Sequence, residues 1–375
     1  MILSNVRIIT TKEVIEQGSI VIEDNLIKEI HHEPLKEGID LSGLTIMPGF
    51  IDIHIHGTRG FDVLEGQDAL NQVSIGQAMH GVTTFLPTTL TLGTDTLKSK
   101  LRSLSETHGM VEGAKIVGVH LEGPFINKTY KGAQNPDFIK GATIEGFKEL
   151  NDAANGFIKL VSYAPERTTT AFTEYCSNQH IITSVAHSNA TFKEIEKHYE
   201  YGLKSLTHYH NAQSGHHHRK PGVVTAGFYF DLNAEIICDG LHLDRDVVKT
   251  VFKIKGRNEI TLISDSMKAA NMKNGNYDLG GLDVVKDSSS ARLKDGSLAG
   301  SILNFNHGVK NFYEFTSCEL TDLVYVSSYN QAKLLNLKNQ GDIKENYLAD
   351  LVILDNNFEV IKTIVNGKIV YEDKV

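Results

Sequence analysis

The sequence predicts an α/β protein: a (β/α)8 barrel of the TIM type, joined to a small β-sandwich domain built from both chain termini. Three observations predict it. Short apolar runs alternate with stretches of helical period through the middle of the chain, those runs number eight, and both ends read as strands and turns.

Taken in order, residues 1–46 hold strand-like segments, MILSNVRIIT, GSIVIEDNLIKEI and LSGLTI, with no helical period. Residues 47–340 are the expected barrel. Its eight runs are TIMPGFIDIHIHG, VTTFLPTT, KIVGVHLEG, IKLVSYAPE, IITSVAHSN, SLTHYHNA, EIICDGLHL and ITLISDSM. Helical intervals separate most of them. Thr191-x-x-Glu194 is a capping box opening a helix that Gly202 closes, and Asp244 caps the next one. The interval between the sixth and seventh runs is poor in helix signal. Residues 270–300, rich in Gly, Asn, Asp and Ser, read as an inserted hairpin or lid. Residues 341–375 return to strand character in ADLVILD and TIVNGKIVY, with Asn366 and Gly367 marking a hairpin turn. Two ends of like character combine into one satellite domain, with the barrel inserted between them.

Composition narrows the function. The chain has 375 residues, 41% of them hydrophobic, enough for one large core and a smaller one. A formal net charge of −9 gives no reason to expect nucleic acid or an anionic membrane as partner, so any anionic ligand needs a local cationic cluster. The three cysteines, Cys176, Cys238 and Cys318, are odd in number and far apart, which argues against a disulfide framework or thiolate metal site and fits a reducing cytosol. No signal-peptide core and no membrane-spanning apolar run is read, so a cytoplasmic protein is expected.

The 17 histidines carry more information. The strand runs end in reactive side chains: His54 and His56 on the first, Glu122 on the third, His187 on the fifth, His208 on the sixth, His242 on the seventh and Asp265 on the eighth. In a parallel barrel those ends share one rim, where active sites sit. A period of two puts His54 and His56 on one face, within reach of one ion. An HxH pair alone argues little in a chain that also has His208/His210 and His216/His218, and solvated or hydrogen-bonded strand histidines explain an isolated pair better than a metal does. Recurrence of His, His and Asp at later strand ends changes the balance. The donors are nitrogen and oxygen without thiolate, a set suited to zinc foremost, with iron, manganese or cobalt as alternatives. Glu122, where a buried apolar strand gives way to Gly and Pro, is expensive unless paired or bound to metal. His120, two residues earlier, shares its face and is expected behind the ligands. Asp265 either caps the following segment or, opposite a metal, serves as general base and acid. His31, His32, His80, His108, His180 and His198 fall in helical or loop contexts and read as structural or solvent-facing.

Together these residues resemble the amidohydrolase superfamily, and within it the N-acetylglucosamine-6-phosphate deacetylase family. PGFIDIHIHG is shared across the superfamily. HLEGPF at His120 to Phe125, THYHNA at Thr207 to Ala212, RKPG at Arg219 to Gly222, DGLH at Asp239 to His242, SDSM at Ser264 to Met267 and LAGS at Leu298 to Ser301 are more specific. The resemblance implies hydrolysis of the acetamide of N-acetylglucosamine 6-phosphate. It implies one or two divalent metal ions per subunit: one on Glu122, His187 and His208 and, since this sequence keeps the HxH pair that one-ion members lack, room for a second on His54 and His56, with Glu122 bridging and Asp265 nearby. It places the phosphate against the Asn211 and Ala212 backbone, Arg219 and His242, with Arg219 supplied across a homodimer interface. It places the sugar or acetyl group against Ala133, Gln134 and the lid residues Leu298, Ala299 and Gly300. Where some members have a histidine after a Lys-Gly pair, this chain has Gln134, which donates a hydrogen bond but carries no imidazolium charge. The run His216 to His218 reads as a solvated loop or interface, because three adjacent side chains do not converge easily on one ion. Competing readings are another amidohydrolase, such as a cyclic-amide hydrolase or adenine deaminase, and a non-catalytic barrel scaffold.

Overall fold

The computed structural model describes residues 1–373. All eight apolar runs contain strand: Phe50–Ile55, Val82–Pro87, Val119–Glu122 (preceded by Lys115–Ile116), Ile158–Tyr163, Ile182–Val185, Ser205–Leu206, Asn233–Ile237 and Ile260–Ile263. They pair in parallel within two sheets. Three strands, ordered Lys115–Ile116, Val82–Pro87, Phe50–Ile55, make one; the six from Val119–Glu122 to Ile260–Ile263, in chain order, make the other, an open half-barrel. The sheets meet at both edges. Thr88 bridges His120 on one side, and the Asp265 amide donates to the His54 carbonyl at 2.9 Å on the other.

A helix follows each central strand: Gln67–Met79, Thr94–Thr107, Ile144–Ala153, Thr170–Asn178, Phe192–Glu200, Val223–Tyr229, Arg245–Lys255 and Phe305–Thr316. Their apolar spacing explains their seating. In Thr94–Thr107 the residues Leu97, Leu101 and Leu104 fall on one stripe and are buried, each stabilising by roughly 1.5–3 kcal/mol. The Thr191 and Glu194 capping box opens the fifth helix, and the Asp244 carboxylate accepts from the Asp246 amide at the seventh. Between the sixth and seventh strands, where helix signal was weak, the chain makes the short helix Val223–Tyr229 after a loop that holds Arg219. Within 270–300 lies a three-stranded antiparallel sheet, Gly275–Leu279, Leu282–Lys286 and Ala291–Leu293.

The termini do combine. Strands Ile2–Ile9, Val14–Glu23, Leu26–His31, Ile39–Asp40 and Thr45–Pro48 join Leu351–Leu354, Val360–Val365 and Lys368–Glu372 in one eight-stranded sheet. Ile8, Ile20 and Ile46 from one end pack in the same core as Leu351, Ile353 and Ile364 from the other. The TIMPGFIDIHIHG run divides at Gly49: Thr45–Pro48 pairs with Leu351–Leu354, while Phe50–Ile55 pairs with Val82–Pro87. A Cβ at Gly49 would lie 2.2 Å from Thr83, so only glycine lets the backbone pass between the two sheets. No helix among the described residues is long and apolar enough to cross a membrane.

Candidate active site

Four imidazoles and two carboxylates converge where the central strands end. Glu122, nearly fully buried, divides its two oxygens between them. Oε1 lies 3.1 Å from His187 Nε2 and 3.1 Å from His208 Nε2. Oε2 lies 3.6 Å from His54 Nε2 and 3.4 Å from His56 Nε2. Asp265 Oδ1 stands 3.4 Å from His54 Nε2 and 3.2 Å from His56 Nε2. Two triads result, His54–His56–Glu122 and Glu122–His187–His208, each with its ligand atoms within 4.8 Å of one another.

Local backbone aims these groups inward. His187, His208 and Asp265 have φ of 46°, 33° and 47°, and Glu122 is followed by Gly123 at 67°. A left-handed residue at or just after the strand end turns the chain off the sheet and throws the side chain toward the axis. For the non-glycine residues this costs about 1–3 kcal/mol each, strain of the kind found at functional sites.

The outward ring nitrogens are all engaged. His56 Nδ1 lies 3.2 Å from the Thr88 carbonyl, His187 Nδ1 2.9 Å from that of Tyr130, and His208 Nδ1 3.2 Å from that of Asn211. His54 Nδ1 faces a carboxylate instead, Glu235 Oε2 at 3.5 Å. A proton held on Nδ1 leaves the Nε2 lone pair directed at the centre, which is how ligating histidines are set. His120 stands behind them, its Nδ1 3.0 Å from the Ile53 carbonyl and its Nε2 2.7 Å from Ser162 Oγ.

Electrostatics says what such a cluster holds. Burial alone would push the Glu122 pKa up, yet His54 and the hydrogen bonds of His187 and His208 outweigh it and hold the carboxyl well below the usual range. Asp265 is likewise raised by burial and then lowered more strongly by His54 and His56, to about 2. Burial lowers His54, but Asp265 and Glu122 overcome it and lift the imidazole well above its usual pKa. Both carboxylates stay charged and demand positive charge beside them. A divalent cation meets that demand on the same lone pairs that protons would take, with nitrogen and oxygen donors suited to zinc or its neighbours, so the residues present fit such an ion.

A cavity of about 420 Å³ opens over the cluster. His56, Glu122, His187, His208 and Asp265 form its floor, and Ala133, Gln134, Asn211, Ala212, His242, Leu298 and Gly300 stand in its walls. His54 lies beneath, fully buried. Two candidates lie elsewhere. Ala299 points away into the apolar cluster under the three-stranded insertion, beside Leu90 and Met267. Arg219 is exposed on its loop, its amide bonded to His217 Nδ1, and does not line the cavity. Gln134 reaches the wall with its amide already engaged, Oε1 accepting from the Thr91 amide at 2.7 Å and Nε2 donating to Glu122 Oε2 at 3.0 Å. His242 is held by Asp239, Nδ1 to Oδ2 at 2.7 Å.

The sequence reading missed Glu235 and Asp52 behind the ligands and Tyr130, Leu90 and Leu279 in the wall. Glu235 had a signal: a carboxylate within the apolar strand NAEII, in the register of no surface position. Asp52 accepts from Ser264 Oγ at 2.5 Å and from the His54 amide at 3.2 Å, and burial pushes its pKa up to about 7.

Comparison with known proteins gives concordant results. A model of the amidohydrolase family matches residues 45–370. The N-acetylglucosamine-6-phosphate deacetylase of Lysinibacillus sphaericus is 35% identical over 98% of this chain and 97% of its own length. The crystal structure of N-acetylglucosamine-6-phosphate deacetylase from Thermotoga maritima is 37% identical, with a TM-score of 0.91 over 100% of both chains. A mutant N-acetyl-D-glucosamine-6-phosphate deacetylase from Mycobacterium smegmatis, in complex with N-acetyl-D-glucosamine-6-phosphate, is 25% identical with a TM-score of 0.94 over 99% of both.

Proposed function

Because the chain belongs to the amidohydrolase family, and its full-length relatives at 35% and 37% identity are N-acetylglucosamine-6-phosphate deacetylases, we propose that it hydrolyses N-acetylglucosamine 6-phosphate to glucosamine 6-phosphate and acetate. The observation that carries the reading is the division of Glu122 between two pairs of imidazoles, with Asp265 beside them on the floor of an open cavity.

Glu122, His187 and His208 would hold one divalent cation, and His54, His56 and Glu122 a second, with Asp265 adjacent. Zinc is the first choice; iron, manganese and cobalt suit the same donors. Such an ion supplies Lewis acidity and brings the pKa of water toward neutrality. Asp265 then takes the proton from the attacking water and returns it to the departing amine, a role that a carboxylate held at about 2 can begin because it is ionised at neutral pH. The His242 imidazole, steadied by Asp239, and the Asn211–Ala212 backbone would receive the phosphate. Arg219, away from the cavity of its own chain, would complete the phosphate site of the partner in a homodimer. Ala133, Leu298 and Gly300 would seat the sugar and acetyl group, with Ala299 supporting them from below. Gln134 would act on the substrate mainly by holding Glu122.

The two parallel sheets would constitute one closed (β/α)8 barrel over residues 47–340, with a lid at 270–300, and the terminal sheet a β-sandwich of residues 1–46 and 341–375. The eight β-α repeats and the hydrogen bonds at both sheet edges support this. A cytoplasmic location suits an enzyme of phosphorylated sugars.

Acetate release tests the function. N-acetylglucosamine 6-phosphate should be turned over, its C4 epimer and unphosphorylated N-acetylglucosamine more slowly, and a chelator should stop the reaction until zinc is restored. Turnover indifferent to chelator, or absent on the phosphorylated sugar, would overturn the reading.

A further inference from the structure

Glu235 is a buried carboxylate with unusually little to hold it. Its side chain is 0% exposed at the centre of strand Asn233–Ile237. Among the described residues its carboxylate meets two partners, both at the long end of hydrogen-bond range: His54 Nδ1 at 3.5 Å and Ser205 Oγ at 3.4 Å. No lysine or arginine of the described residues pairs with it. Asp52, equally buried and also close to His54, is served by a hydroxyl and two backbone amides. An ionised carboxylate left so exposed to a dry interior is strongly disfavoured unless positive charge comes to it through a neighbour.

Among the described residues the route for such charge is His54. The other three imidazoles of the site turn their Nδ1 atoms to neutral backbone carbonyls, whereas His54 alone faces a carboxylate side chain. We propose that Glu235 is a positioning residue that makes the His54–His56 half of the site a working cation site: it accepts the hydrogen bond of His54 Nδ1–H, aims Nε2 at the ion, and adds the negative charge that a second divalent cation requires. Charge balance agrees. One divalent cation among Glu122, Asp265 and Glu235 leaves the pocket negative. Two would leave a single positive charge. Without Glu235, the second ion would bring two positive charges into a buried site with only Glu122 and Asp265 to meet four. The inference rests on the metal-dependent reading above and deepens it by saying which half depends on which residue.

The test is metal binding, read separately from turnover. Metal-free wild type and Glu235→Gln are titrated with zinc against a chromophoric chelator, and the bound ions are counted. Wild type should take up two ions. Glu235→Gln retains the shape and loses the charge, so it should hold one ion at wild-type affinity and bind the second about 10- to 100-fold more weakly, the usual cost of losing a partner behind a ligand. Glu235→Asp, which retains the charge, should recover part of that affinity, and Ser205→Ala, which leaves the charge in place, should still bind both. In metal-free protein Glu235→Gln should melt close to wild type, because Gln fills the same space and can still accept from His54 Nδ1; a merely structural glutamate would melt clearly lower when replaced. Two ions bound at wild-type affinity by Glu235→Gln would overturn the proposal, as would equal loss of both ions with a lowered melting temperature. Wild type that takes only one ion would also overturn it, yet acetate release from N-acetylglucosamine 6-phosphate would leave the deacetylase reading standing.

Discussion

The two halves of the site meet at one carboxylate but are built differently. In the Glu122–His187–His208 half the histidines are 65 and 86 residues from Glu122, sit at left-handed strand ends, and are steadied by the carbonyls of Tyr130 and Asn211 in loops over the cavity. In the His54–His56 half one histidine lies in the strand Phe50–Ile55 and the other just past its end, and His54 lies below the cavity floor against Glu235. One half is steadied by loops over the cavity; the other begins inside a strand, where His54 is backed by the Glu235 side chain. The contrast teaches that one shared carboxylate can join a cluster whose rings rest on backbone carbonyls to one in which a ring faces a buried carboxylate, and that the two need not respond alike to mutation.

The largest expected effect comes from Glu122→Gln, which removes the charge both halves share. Metal should be lost from both, and acetate release should drop to the uncatalysed background. Metal analysis finding one half still loaded would show the halves to be independent. Asp265→Asn should cost about 10²- to 10⁴-fold in kcat while metal stays bound, since it removes the proton carrier and leaves the imidazoles and Glu122 in place. A fully active variant would refute that role.

The smallest effect comes from a histidine outside both halves. His198 Nδ1 lies 3.1 Å from Tyr163 Oη and 2.7 Å from Thr173 Oγ1 in the outer layer. Burial holds its pKa at about 4, below the ordinary 6.5, so the fold favours the neutral ring. Stability from this group is complete above pH 6.5 and is lost as pH falls toward 4, where the unfolded chain binds the proton first. Melting temperatures of chelated protein should fall across that window. His198→Asn should shallow the slope by on the order of 2 °C; an unchanged slope would mean that His198 does not contribute. Chelation matters here, because it separates this linkage from proton competition at the ligands.

Much of the site was legible because its chemistry lies at strand ends. A two-residue period put His54 and His56 on one face, and a carboxylate before Gly123-Pro124 marked Glu122 as an expensive residue with a purpose. Glu235 was less legible, since a single glutamate within an apolar strand does not announce which histidine it faces across 181 positions. The split of TIMPGFIDIHIHG at Gly49 was hidden too, because one unbroken apolar run suits two consecutive strands in different sheets as well as one long strand.

What the chain determined by itself was periodicity: eight strand–helix repeats, strand-like ends, and a set of nitrogen and oxygen donors at positions that topology brings to one rim. What only tertiary structure decided was distance and direction. Which Glu122 oxygen faces which imidazoles, which nitrogen each ring turns inward, and how far Arg219 stands from its own cavity depend on contacts between residues remote in sequence. Local pattern encodes which face a side chain occupies, whereas its partner is set by how the strands pack.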